Sequence, residues 1–232
     1  MKFLSLIFFL ILHPLSSFGA DFSRSDRVLY VAGEIHEGDF EKFSKVISEG
    51  EVSFVILNSI GGNAIEAMKI ASVISDMRLN TIVSDICASS CANYMFLAGN
   101  KKIIMQHGVL IWHGSYSKGC EHTISKFNSE NKNDQEILDY KRKLNNQHLE
   151  NDKFFKKISV KNNINCLSVE VKRIADKVYP DSTGFTLTLN AIKYFGVVDI
   201  FDFRNRYVEE EMSKYVAVVG VEMLKEAGYQ LD

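Results

Sequence analysis

The segment from Thr81 to Gly99 constrains the fold most. Thr81-Ile82-Val83 is β-rich, Cys87-Ala88-Ser89-Ser90-Cys91 supplies small residues for a tight turn, and Ala92 to Ala98 is a largely apolar run that stops at Gly99. This order predicts a strand, a sharp turn and a buried helix with a serine at its start. Such a serine has two uses. It can cap the helix by accepting from a free N–H. It can also stand clear of the helix body, where unpaired N–H groups and the positive dipole end face a developing oxyanion.

The rest of the chain alternates strands with helices. Residues 21–27 are a polar lead-in. Val28-Leu29-Tyr30-Val31-Ala32 reads as a strand, and Phe40, Phe43, Val46 and Ile47 predict a helix over 39–48. Phe54-Val55-Ile56-Leu57 is a continuous apolar run suited to a strand buried on both faces. Gly61-Gly62 follows, a turn that lets backbone N–H groups point into a cleft; no Gly-Lys-Ser/Thr completes a phosphate loop. Ala67, Ile70, Ala71, Ile74 and Met77 share the next helical face. Strands are expected at 103–105 and at Val109-Leu110-Ile111-Trp112-His113, where His113 closes an apolar run.

Residues 115–165 are rich in Lys, Asn, Glu and Gln, with sparse apolar spacing. They predict a long, partly exposed helix or helical hairpin, serving as a solvated spacer or as an oligomerisation or gating arm. A helix over 169–178, a break at Pro180, a short helix from Leu189 to Phe195, a strand at 197–200 and a C-terminal helix over 206–227 complete the chain. The alternation predicts an α/β fold with a parallel sheet and ligands at its strand ends.

Met1-Lys2, the apolar run Phe3–Leu12 and the small-residue stretch ending Ser17-Phe18-Gly19-Ala20 read as an export leader over residues 1–20, cut after Gly19 or Ala20. The run is too short to span a bilayer comfortably, and no later apolar run is long enough to do so. One domain is therefore expected over 21–232, periplasmic or secreted. The formal net charge is −2, which argues against a nucleic-acid partner. The four cysteines, Cys87, Cys91, Cys120 and Cys166, suggest two disulfides in an exported chain. Of three pairings, Cys87–Cys91 with Cys120–Cys166 is preferred: the first would brace the serine turn and the second would pin the polar segment. Their spacing matches no common zinc pattern, and neither metal nor cofactor is expected.

Three polar features fall at predicted strand ends: Gly61-Gly62, Ser90 and His113. With an acid they could supply oxyanion donors, nucleophile, base and orienter. Here the sequence resembles the Clp protease proteolytic subunit and its wider crotonase-like superfamily. Leu57-Asn58-Ser59-Ile60-Gly61-Gly62 resembles that family's Ile-Asn-Ser-Pro-Gly-Gly. Ala88-Ser89-Ser90-Cys91 with Leu97-Ala98-Gly99 resembles its nucleophile turn, and the Ser90-to-Gly99 spacing selects Ser90 over Ser89. Val109 to His113 resembles its Val-Met-Ile-His strand, and Ala191 to Asp199 its Ala…Glu-Tyr-Gly-Leu-Val-Asp end. The Cys-Ala-Ser-Ser-Cys turn is similar to that of exported members.

The resemblance implies a crotonase-like sheet of repeated ββα units and self-association. It implies Ser90 as nucleophile, His113 as general base and the N–H groups of Gly61 and Cys91 as oxyanion donors, with Gly62 keeping the loop open. The triad acid falls to Asp181, with Asp176 second, because the family's acidic motif is not reproduced. The implied substrates are short or unfolded peptides, cleaved without ATP. A second reading is a catalytically silent module that binds peptides or assembles with partners. A third is a Ser-Lys enzyme using Lys101 or Lys102.

Overall fold

The computed structural model describes residues 19–114, 133–166, 169–204 and 210–230. Its centre is a seven-stranded, mostly parallel sheet. Strand β1 (Asp21–Ser25) runs antiparallel to β2 (Val28–Ile35), so the polar lead-in is in fact an edge strand with Phe22 and Arg24 half-buried. Alternation of single apolar or long side chains with short polar ones is enough for an edge. Helix α1 (Asp39–Ser48) leads to β3 (Phe54–Gly62), whose Val55 and Leu57 are fully buried. Phe54 and Ile56 are only half-buried, so β3 is not enclosed on both faces as expected.

Asn63 caps helix α2 (Ala64–Asp76) through its side-chain oxygen, which accepts from the N–H groups of Ile65 and Glu66. Strand β4 (Asn80–Ala88) is, with β3, one of the two nine-residue strands of the sheet. Its first half pairs with β5 (Lys102–Ile104) and its second half with β6 (Val109–Ile111), both parallel and on one edge. That second partner extends the strand past Val83 to Ala88, where the serine turn begins.

The run after the turn is a π-helix, Cys91–Phe96, with all six residues buried. Helix α3 (Asp134–Ile158) is the expected long helix, 25 residues or about 37 Å. An Asn133/Glu136 capping box starts it. Its C-terminal turns are anchored: Phe154 and Phe155 pack on Tyr94 at 5.5 and 6.2 Å, and Tyr94 Oη donates to Asn151 Oδ1 at 3.0 Å. Residues 115–132 of the predicted arm lie outside the described residues.

Helix α4 (Val169–Val178), β7 (Phe185–Leu187), α5 (Leu189–Tyr194) and β8 (Ile200–Asp202) follow, with β8 closing the sheet beside β5. The C-terminal helix expected over 206–227 is broken. Strand β9 (Ala217–Val219) pairs parallel with β7, and only then comes α6 (Val221–Glu226). The continuous apolar run Val216-Ala217-Val218-Val219, ended by Gly220, favours a strand once β7 offers an edge. No helix among the described residues is long and apolar enough to cross a membrane.

Candidate functional site

Where β4 ends, the chain turns sharply. Ser89 takes the left-handed conformation at φ 55°, and Ser90 at φ −62° and ψ −25° opens the π-helix. A left-handed serine costs about 1 kcal/mol and persists only where its surroundings hold it. Here the Ser89 N–H donates to the Ile111 carbonyl at 2.9 Å, and the Asn93 N–H donates to the Ser89 carbonyl at 2.8 Å. The Cys87–Cys91 disulfide brackets the turn, as preferred from sequence. Cys166 is disulfide-bonded too, and Cys120 lies outside the described residues.

The end of β3 abuts this turn. A Cβ on Gly61, at φ +87°, would fall 2.5 Å from the Ala88 carbonyl oxygen and 2.8 Å from both Ser89 Cβ and Ser90 N. Only glycine fits there. Gly62, at φ +135°, backs onto the Ile35 carbonyl of β2 instead. The Gly61 N–H is not free for an oxyanion, because it donates to Ser59 Oγ at 3.1 Å while Ser59 donates to the Gly33 carbonyl. Ser59 thereby fixes the glycine loop to β2. The N–H groups available beside the turn are those opening the helix, Ser90 and Cys91, which have no acceptor within it.

The two serines differ. Ser89 is half-exposed at the apex, whereas Ser90 is 2 % exposed and its buried hydroxyl has no hydrogen-bond partner. Asn93 Oδ1, Trp112 Nε1 and Thr186 Oγ1 are likewise buried and unpartnered.

His113 is held alongside by its neighbours. Ile111 is bonded to Ser89, and the Gly114 carbonyl accepts from Asn93 Nδ2 at 2.9 Å, so residues 111–114 pass along the serine turn. The imidazole is exposed and does not bond Ser90 Oγ. Reciprocal hydrogen bonds of 2.8 Å join Trp112 and Phe185, which sets Gly184 opposite His113, with a Gly184 Cβ 3.6 Å from His113 Cβ. The position beside His113 is thus a glycine. Among the described residues Asp181, which is exposed, makes neither hydrogen bond nor ion pair, and Asp176 pairs with Lys172 at 2.7 Å on α4. Neither carboxylate is bonded to His113 there.

Lys102 is remote. It pairs with Thr81, seven residues before Ala88 along β4, so about 23 Å from the turn. Its ammonium bonds the Val198 carbonyl at 3.2 Å, and burial lowers its pKa against the opposing charge of Asp199. Lys101 is exposed in the same distant turn. The Ser-Lys arrangement is therefore not assembled. Among the described residues no group of three His, Cys, Asp or Glu side chains could hold a metal. No protein-family model and no curated protein matches the chain.

Proposed function

We propose that this chain is an exported, Clp-like serine hydrolase of peptides, with its nucleophile on the Ser89-Ser90 turn. The observation that carries the reading is the left-handed Ser89 at a strand-to-helix apex, wedged against Gly61 and next to the unpaired N–H groups of Ser90 and Cys91. That is the geometry of a strained nucleophile turn with adjoining oxyanion donors. Exposure favours Ser89 over Ser90 as the attacking group, since the Ser90 hydroxyl is shut in. His113 is the base: rotation of its exposed side chain toward the turn takes the serine proton and later returns it to the leaving amine. Asp181 can orient the imidazole only if the 179–184 turn folds toward it. Substrates are short or unfolded peptides, and copies of the chain self-associate.

Gly184 opposite His113 favours the second reading, a silent Clp-like module that binds peptides. Labelling with a fluorophosphonate probe separates the two. The oxidised protein is expected to label, Ser89→Ala to abolish labelling, His113→Ala to slow it on the order of 10²-fold or more, and Ser90→Ala to leave it. Absence of labelling in the folded wild type gives the silent module. Loss with Ser90→Ala but not Ser89→Ala returns the nucleophile to Ser90.

A further inference from the structure

Chain entry into the fold occurs at Ala20. Its backbone N–H donates to Asp39 Oδ2 at 2.8 Å, and Ala20 is 2 % exposed. Asp39, at the start of α1, has no exposed surface. The same oxygen accepts from the His36 N–H at 2.7 Å, and Oδ1 pairs with Lys42 at 2.8 Å. Lys42 is itself 55 % exposed, so among the described residues a solvated cation is the carboxylate's one charged partner. Gly19 lies directly on that carboxylate, where a Cβ would fall 2.5 Å from Oδ1.

The residues ahead of this point carry the leader pattern, whose cut follows small residues in an Ala-x-Ala-like arrangement. Ser17 and Gly19 occupy those places for a cut after Gly19. A cut after Ala20 would put Phe18 in one of them. We propose that a leader peptidase hydrolyses the Gly19–Ala20 bond and that the new α-amine of Ala20 is held inside the fold by the Asp39 carboxylate.

Water adds across the amide, so Gly19 departs as a carboxylate and Ala20 keeps an amine that is protonated near neutral pH. The donor atom already stands in place. Cleavage turns a neutral N–H into an ammonium, and a charge-assisted hydrogen bond replaces an ordinary one at a buried carboxylate. It also removes Gly19 from its crowded position. A cut one residue later would delete the buried Ala20 and leave Asp39 with one donor fewer. Because Asp21 pairs directly with Ala32, the amine also pins the start of β1 to the sheet edge. The proposal rests on the export reading and not on the hydrolase chemistry.

Expression of the 232-residue chain in an exporting bacterial host, followed by intact mass and N-terminal sequencing, tests the cut. Ala20 is expected at the terminus. A terminus at Asp21 or beyond overturns the proposal alone, and a retained leader overturns the export reading with it. The ion pair is tested by melting a chain that starts at Ala20 beside one carrying residues 13–19 ahead of it, each with Asp39 and with Asp39→Asn. The free amine should raise the melting temperature by about 5 °C with Asp39 and by nothing measurable with Asn. An equal difference in both backgrounds, or none in either, overturns the buried pair.

Discussion

At the start of α1, two buried carboxylates have every oxygen occupied. Asp39 is met by Ala20, His36 and Lys42, and Glu66 by Lys69 at 2.7 Å and the Phe40 N–H at 2.9 Å. At the serine turn the opposite holds. Ser90, Asn93, Trp112 and Thr186 each bury a polar atom without a partner, on segments joined by the Asn93–Gly114 and Trp112–Phe185 hydrogen bonds. An unpartnered buried group costs about 1–3 kcal/mol. The first corner is therefore a source of stability, while the second gives stability away where the strained Ser89 sits. Buried polar atoms without a partner occur elsewhere too, at Arg24 and Asn165, but at the serine turn four of them gather on adjoining segments.

The contrast is broken or sharpened by substitution. The largest effect is expected for Asp39→Ala, which strands the His36 and Ala20 N–H groups and leaves Lys42 without its carboxylate; unfolding in urea should show a loss of about 3–5 kcal/mol. A loss below 1 kcal/mol would erase the difference between the corners. The same corner sets an acid limb. Burial raises the pKa of Asp39 and of Glu66, but the His36 N–H and Lys42, and for Glu66 the Lys69 ammonium and Phe40 N–H, outweigh it and leave both lowered. The unfolded chain then takes up protons first as pH falls. Their contribution is present above about pH 4 and is lost as pH drops through the lowered folded values, so stability against pH should be flatter there in Asp39→Ala.

Gly61→Ala comes next. It forces a Cβ onto the Ala88 carbonyl at a φ of +87°, and a loss of about 3 kcal/mol should accompany a displaced serine turn and lost fluorophosphonate labelling. Retained labelling would detach the glycine loop from the site. The smallest effects belong to Ser90→Ala and Thr186→Val, which remove groups that have no partner. Each should stay within about 0.5 kcal/mol of wild type, or stabilise, in the same urea measurement. A loss above about 2 kcal/mol would mean that those atoms are bonded in solution.

Local periodicity made much of the fold legible. Phe40, Phe43, Val46 and Ile47 gave α1 with its bounds, and the Gly61, serine-turn and His113 segments do meet at neighbouring strand ends. Strand β9 was hidden, because Met212, Tyr215, Val216, Val219 and Met223 also satisfy helical spacing. What decided it was an edge offered by Phe185–Leu187, some thirty residues earlier in the chain. The difference in exposure between Ser89 and Ser90 was hidden for another reason: it follows from the left-handed backbone at Ser89, which a Ser-Ser doublet does not mark. Nothing in the sequence near Asp181 revealed that Gly184 would stand opposite the histidine.

The loop from Cys87 to Cys91 is a covalent ring of five residues with both serines inside it. A ring this small adds only about 2 kcal/mol to the fold as a whole, so its weight falls on the turn itself. With the thiols reduced, the apex would be left to the hydrogen bonds with Ile111 and Asn93 and to the close approach of Gly61. Reduction would therefore loosen the serine apex while leaving the strand pairing of the sheet in place, which makes the stiffness of the turn depend on the redox state around it.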